Sequence, residues 1–153
     1  MKARPYPSWV TWAFIVMVGL LAFTGMIQMP LANRYYLTSV PGMAWTGDFF
    51  FVHKLHYVLA SLFLFFCAVM SVNWLLEWRN RLDLTTMGKI RLWMIAGIVA
   101  SGGMRVYRNL PDVNMDPTLV LVVEWVHFGL VMLLGVVALT AVIRKSSQYV
   151  RWK

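Results

Sequence analysis

FFFVHKLHYVLASLFLFFCAVMSVNW, residues 49–74, is the stretch that decides the fold of this chain. Lys54 is its only formally charged residue when the histidines are counted as neutral. A helix of this length rises about 1.5 Å per residue and exceeds the ~30 Å hydrocarbon core of a bilayer. Asp48 precedes the stretch and has a side chain suited to an N-cap. We therefore expect a membrane-spanning helix that begins at Phe49.

Two further runs have the same character. Residues 8–29 are apolar and stop at Pro30, whereas residues 117–143 follow Asp116 as N-cap and place Pro117 in the first helical position. The first run is too long for the core of a signal peptide, and no small-residue cleavage site follows it before Pro30. We therefore expect that the first run is retained as a helix.

A further span is weaker. In residues 90–109 the uncharged part is short and lies between Arg91 and Arg105, whose long side chains are expected to reach opposite interfaces. With this span included, the sequence predicts an all-α membrane protein and shows no visible internal repeat. The predicted architecture is one antiparallel four-transmembrane-helix bundle over residues 1–153, with spans at 8–29, 49–75, 90–109 and 117–143.

The composition indicates that lipid surrounds most of the chain. Of the 153 residues, 60% are hydrophobic and 13% are charged, whereas a soluble domain carries about 25% charged residues. Tryptophans near the ends of the apolar runs are typical of interfacial aromatic belts. The net charge of +8 does not indicate a nucleic-acid partner, because the basic residues stand beside the apolar runs.

The distribution of Lys and Arg predicts the orientation. Ten of the 14 lie in the amino-terminal segment, in the connection between the second and third spans, and in the carboxyl-terminal tail. Lys2 and Arg4 supply the basic charge of the amino-terminal segment. The positive-inside rule places these three segments, and therefore both termini, in the cytoplasm.

All three histidines fall in predicted spans, where ionisable side chains are costly and usually functional. His56 lies about 10 Å and His127 about 15 Å from the start of its helix, and both helices start on the non-cytoplasmic face. Two imidazoles from different helices at similar depth suit axial ligation of a haem iron. His53, about 6 Å from the helix start, matches less well. The alternative is that each histidine is neutral and bonds to a neighbouring helix.

Residues around the histidines fit such a site. Gly102 and Gly103 would admit a flat macrocycle, although glycine pairs also serve close helix packing. His53 is either an alternative ligand or a donor to a haem propionate or a quinone carbonyl, and we favour the donor role. Arg105 and Arg108 either pair with propionates or anchor their helix at the headgroups.

Glu124 is the only acid well inside a span. Pairing with Arg105 or Arg108 is its expected role, and proton transfer to and from a quinol is the alternative. Ligation by one His and one Met stays open, because methionines are numerous. The sequence has no CxxCH, CxxC, Gly-rich phosphate loop or nucleophile–base set, and the depth of His53 argues against a zinc site from three histidines.

Four segments, in this order, resemble a known family: the membrane cytochrome b (gamma) subunits of respiratory formate dehydrogenases, with the related cytochromes b of nickel–iron hydrogenases and thiosulfate reductases, all cytochrome b561-like. The first helix ends in LLAFTGMIQMP, similar to the family's apolar run that closes on a small-Gly pair. The second carries KLHYVLASLFLF, similar to the family's Leu-His opening. The third ends in ASGGMRVYRN, which resembles Thr-Gly followed by an aromatic-Arg pair, and the fourth carries VEWVHFGLVMLLG, with its His before small residues.

The resemblance implies that His56 and His127 are the axial ligands of one non-covalent haem b near the outer side of the bacterial cytoplasmic (inner) membrane. The family typically holds a second haem nearer the cytoplasm, ligated from the first helix and from a site about four turns after the fourth-helix histidine. This chain has no histidine at either place. It is therefore expected to be a one-haem version, and the family's inner quinone site and a full transmembrane electron path within this subunit are not carried over to it.

The function implied is that of a non-catalytic electron-transfer subunit in an obligate respiratory complex. It would move electrons between menaquinone or ubiquinone and an iron–sulfur or multihaem cytochrome subunit at the periplasmic face. Two alternatives stay open. One is a stand-alone cytochrome b561-like quinone oxidoreductase, and the other is a haem-free membrane anchor or assembly subunit.

Overall fold

The structure, a computed structural model, describes residues 6–29 and 34–153 and is 75% helical. Lys2 and Arg4, which enter the charge argument, and Pro30, which ends the first apolar run, lie outside the described residues. Within the described ranges the chain forms four long helices: α1 Ser8–Ile27, α2 Phe49–Leu76, α3 Thr86–Tyr107 and α4 Pro117–Ile143.

The starts of α2 and α4 follow from local chemistry. Asp48 accepts a hydrogen bond from the backbone N–H of Phe51 at 3.0 Å. Asp116 accepts from the backbone N–H groups of Thr118 and Leu119 at 2.9 and 3.1 Å. Each carboxylate thus satisfies N–H groups that have no partner within the helix, so both predicted N-caps are confirmed.

The start of α3 lies four residues before the predicted one. The Thr85 hydroxyl accepts from the backbone N–H of Gly88 at 2.9 Å and caps the helix, which therefore begins at Thr86. The prediction placed the boundary where the apolar run begins, whereas the cap decides where the helix begins.

Three helices, α1, α2 and α4, are long and apolar enough to cross a membrane, a count that covers only residues 6–29 and 34–153. The remaining helix, α3, carries Lys89, Arg91 and Arg105 within its 22 residues and does not reach this level. Large apolar side chains point outward from the other helices, and Phe65 on α2 is 71% exposed. Leaving one such side chain in water costs about 1.5–3 kcal/mol relative to burying it, so this surface is suited to lipid.

The chain divides into two compact units, of which the first ends at Asn80. Its core is the antiparallel pair of α1 and α2. The rings of Phe14 and Phe63 pack with centroids 6.0 Å apart midway along this pair. Ile27 and Val52 are buried against each other near the connection, which covers them with Leu37 and Trp45. The apolar contacts of this unit therefore run along the facing sides of two helices.

The second unit, from Arg81 to Lys153, holds α3, α4 and two short strands, β1 Leu82–Leu84 and β2 Val150–Trp152, which pair antiparallel. A Cβ added at Gly97 on α3 would lie 2.9 Å from Leu130 Cδ1, so the two helices approach closely there. The predicted packing of both units into one four-helix domain stays a prediction.

Arg91 fastens the carboxyl-terminal tail to the start of α3. Its side chain is 4% exposed, and its Nη2 donates to the carbonyl of Ser147 at 2.9 Å. Its guanidinium carbon lies 3.9 Å from the ring centroid of Tyr149. Arg91 is therefore buried under the tail, a contact that was not predicted from the sequence, and its reach toward an interface stays a prediction.

Candidate functional site

His56 on α2 is held by the end of α1. Its Nδ1 lies 2.8 Å from the hydroxyl oxygen of Thr24, a residue that is only 2% exposed. The same hydroxyl donates to the carbonyl of Leu20, one turn earlier on α1, at 2.8 Å. A hydroxyl has one hydrogen to donate, so with that hydrogen on the Leu20 carbonyl we assign its lone pair as the acceptor of Nδ1–H of His56. This arrangement makes Nε2 the nitrogen of His56 that carries the lone pair.

His127 on α4 is held in the same way by α3. Its Nδ1 lies 3.0 Å from the hydroxyl oxygen of Ser101 and 3.1 Å from the carbonyl oxygen of Ile98. A carbonyl only accepts, so Nδ1 carries the hydrogen. Ser101 is 6% exposed and donates its own hydrogen to the carbonyl of Gly97 at 2.8 Å. His127 is thus also the Nδ1–H tautomer, with Nε2 as its basic nitrogen.

A glycine lies beneath each imidazole. A Cβ added at Gly25 would lie 3.3 Å from Cε1 of His56, and one added at Gly102 would lie 3.2 Å from Cε1 of His127. Both distances are shorter than ordinary carbon contacts, so a side chain at either position would displace the ring. A Cβ added at Gly103 would meet nothing within 4 Å in the described part of the chain. Gly102 therefore makes room for the histidine itself, and Gly103 borders open space.

His53 lies one helical turn from His56, toward the start of α2. Its Nδ1 donates to the side-chain oxygen of Gln28 at 3.0 Å. Its ring stacks on Phe49 with centroids 5.5 Å apart and lies 4.4 Å from the ring of Tyr57. Gln28 was not among the residues predicted from the sequence. The donor role of His53 toward a propionate or a quinone stays a prediction.

Glu124 occupies the equivalent position one turn before His127. Its carboxylate lies 3.3 Å from Nη2 of Arg105 and 2.9 Å from Nη1 of Arg108. The predicted pairing of Glu124 is therefore confirmed, and it involves both arginines. Two guanidinium groups on one carboxylate leave one positive charge in excess. In addition, Nε of Arg105 is buried and has no hydrogen-bond partner among the residues that the structure describes.

The two helix pairs therefore repeat one arrangement. In each pair, the first helix carries a hydroxyl residue, then a glycine, and a polar residue four positions after the hydroxyl. The second helix carries a polar residue three positions before the histidine. The hydroxyl bonds to the histidine, the glycine lies beneath its ring, and the two polar residues bond to each other. The matching sets are Thr24, Gly25, Gln28, His53 and His56 in the first pair, and Ser101, Gly102, Arg105, Glu124 and His127 in the second.

The sequence contains a signal for this repeat, but it is too short and too interrupted to stand out as an internal repeat. It consists of Ser/Thr-Gly with Gln or Arg four residues after the hydroxyl, then His or Glu three residues before a His-aromatic pair. The hydroxyls of Thr24 and Ser101 are the functional candidates that sequence reasoning did not single out. In the sequence each stands only as the small residue before a glycine.

The residues needed for a site with several protein ligands are not grouped. In residues 6–29 and 34–153, no three His, Cys, Asp or Glu side chains come together as a metal site of three ligands requires. Ligation of a haem iron from its two faces needs two side chains only. Comparison with protein-family models, curated proteins and solved structures finds no match for this chain.

Proposed function

We propose that this chain is a membrane-anchoring b-type cytochrome subunit, with His56 and His127 as the axial ligands of one haem b. The observation that supports it most is the matched state of the two histidines. Nδ1 of each lies 2.8 or 3.0 Å from a buried hydroxyl that bonds to its own helix, which assigns the hydrogen to Nδ1 and the lone pair to Nε2. Metal-ligating histidines commonly have this arrangement, because the Nδ1–H bond fixes the ring and raises the basicity of Nε2.

The charges near the histidines suit the periphery of a haem. Arg105 and Arg108 together exceed the charge of Glu124 by one, and Nε of Arg105 has no partner within residues 6–29 and 34–153, so the cluster favours an additional carboxylate. Guanidinium groups bind carboxylates through paired hydrogen bonds, so these two arginines are proposed to bind the propionates. When bound, the haem supplies a one-electron couple, whose potential depends on its ligands and on the low-dielectric surround.

The remaining polar residues are proposed to serve a quinone. His53 and Glu124 each lie one turn from a proposed ligand, toward the start of the helix. Because neutral His53 gives its Nδ1–H to Gln28, it would donate to a carbonyl of menaquinone or ubiquinone through Nε2 only as the protonated imidazolium. Glu124 is proposed to take up or release the accompanying proton. With both termini in the cytoplasm of a bacterium, these helix starts face the periplasm. There an iron–sulfur or multihaem partner subunit would exchange electrons with the chain.

The proposal is tested on the full chain, produced in bacteria that make haem and purified in detergent. We expect a reduced b-type absorption spectrum and one haem per chain. His56→Ala and His127→Ala should each abolish haem binding, and His53→Ala should retain it as the matched control. Circular dichroism and gel filtration establish that each variant is folded.

Three results would contradict the proposal. One is a folded wild-type chain without a b-type spectrum, which supports the haem-free anchor instead. Another is full haem retention in both the His56 and the His127 variants. The last is loss of haem from His53→Ala with retention in His56→Ala, which would show that His53 is the ligand and His56 is not.

A further inference from the structure

The hydroxyl–imidazole contact has the same polarity in both helix pairs. In each, the hydroxyl donates its only hydrogen to a backbone carbonyl one turn earlier. The acceptor is Leu20 for Thr24 and Gly97 for Ser101. The hydroxyl oxygen then faces the histidine only as an acceptor. Such a bond to the carbonyl one turn earlier is common for Ser and Thr in helices, and its consequence here is that each of the two histidines meets an oxygen left to accept.

We infer that Thr24 and Ser101 are positioning residues, which fix the tautomer and the donor strength of the two histidine ligands. This inference rests on the proposed function for its redox consequence, and on the geometry alone for the tautomer. An imidazole without an acceptor at Nδ1 samples both tautomers. The Nε2–H form has no lone pair at Nε2 and does not ligate iron. The apparent affinity then falls by the fraction of the competent form.

The hydroxyls also affect the basicity of Nε2. An acceptor at Nδ1–H makes the imidazole more basic at Nε2, which stabilises ferric iron more than ferrous iron. Removing the acceptor should therefore raise the midpoint potential. The carbonyl of Ile98 also accepts from His127, so it would retain part of the effect when the hydroxyl of Ser101 is removed.

The test compares Thr24→Val and Ser101→Ala with the conservative variants Thr24→Ser and Ser101→Thr, which keep the hydroxyl. Thr140→Val is the matched control, because the Thr140 hydroxyl donates to the carbonyl of Val137 at 2.9 Å on α4, a bond that involves no histidine. Thr24→Val should lower haem affinity about tenfold. It should also lower the ratio of ferric to ferrous haem affinity about threefold. This change raises the midpoint potential by about 28 mV, at 59 mV per decade.

A second readout does not need haem. Nitrogen-15 NMR of the histidine-labelled chain reports the tautomers of His56 and His127 directly. We expect Nδ1–H for both in the wild type, and a mixture at His56 in Thr24→Val that returns to Nδ1–H in Thr24→Ser. The wild-type spectrum should be preserved in Thr140→Val.

The outcomes separate the two proposals. Nε2–H tautomers in the wild type, or unchanged affinity and potential in both hydroxyl-less variants, overturn the inference while leaving haem ligation intact. An equal shift in Thr140→Val also overturns it. A wild-type chain that binds no haem but holds both Nδ1–H tautomers contradicts the proposed function and supports the positioning role of the hydroxyls.

Discussion

The guanidinium of Arg91 lies over the ring of Tyr149, joining the first turns of α3 to the chain that follows α4. The same group donates to the carbonyl of Ser147, so one buried side chain holds two tail residues. Arg91→Gln should therefore lower the free energy of unfolding by about 2–3 kcal/mol, through loss of the cation–π contact and a charged hydrogen bond. Thermal unfolding in detergent and the rate of proteolysis within the tail measure this effect.

Arg144→Gln is the control for this change, because Arg144 is exposed at the end of α4. Its effect should stay within about 0.5 kcal/mol. Equal stability of both variants would mean that the contact of Arg91 with the tail is not needed to hold it.

Small side chains beneath the histidines should displace their rings. Gly25→Ala and Gly102→Ala each place a Cβ 3.2–3.3 Å from Cε1 of an imidazole, so the ring must move by a few tenths of an ångström. A bond between Nε2 and iron tolerates little displacement, and we expect about a tenfold loss of haem affinity in each variant. Titration of the apo chain with haem measures it.

Gly19→Ala on α1 and Gly135→Ala on α4 are matched controls, because a Cβ there meets nothing within 4 Å among the described residues. Replacing glycine by alanine within a helix stabilises it by up to about 1 kcal/mol, so these controls should unfold no more readily than the wild type. An equal loss of haem affinity in the controls would show that the loss does not come from contact with His56 or His127.

A double-mutant cycle should detect coupling between Glu124 and each of its arginines. Because the three side chains are only partly buried, we expect a coupling free energy of about 1 kcal/mol for each of the pairs with Arg105 and Arg108. The cycle uses Glu124→Gln with Arg105→Gln, and then with Arg108→Gln, and compares their unfolding in detergent. Asp112→Asn, at an exposed carboxylate in the α3–α4 connection, controls for loss of a negative charge. No coupling in either cycle would show that the cluster is not energetically formed.

Cysteine labelling tests whether α3 crosses the membrane. In a Cys67→Ser background, single cysteines at Asn80 and at Asp112 flank α3. If α3 spans the bilayer, a membrane-impermeant thiol reagent added to intact cells should label the cysteine at Asp112 and leave the one at Asn80 unlabelled. Both are labelled after the cells are lysed. Labelling from the same side at both positions would contradict the four-span architecture.

Much of the helical framework could be predicted from the sequence, because apolar runs and capping residues are local signals. Asp48 and Asp116 are N-caps whose chemistry is visible in the sequence, and the helices after them begin where predicted. Arg91 is different. Its flanking position predicts a side chain that reaches toward an interface, and it gives no sign that residues more than fifty positions later cover this side chain. No local pattern contains that contact.

The site was predictable in part for the same reason. The histidines and Glu124 stand out because polar groups are rare in apolar helices. Thr24 and Ser101 do not stand out, since small hydroxyl residues are ordinary in such helices and usually bond to their own backbone. Their role appears only when the neighbouring helix brings an imidazole to the second lone pair. The family resemblance and the haem remain predictions.

In each helix pair, the hydrogen bonds to the histidine and between the two polar residues are made within the pair itself. This arrangement bears on membrane insertion. A hairpin that leaves the translocon with exposed imidazole, amide and guanidinium groups would meet a large solvation penalty in the acyl-chain region. In the first pair, the hydroxyl of Thr24 and the amide of Gln28 bond to the two histidines. α1 and α2 are both long and apolar enough to cross a membrane, so they can enter the bilayer as one hairpin with these polar groups already bonded.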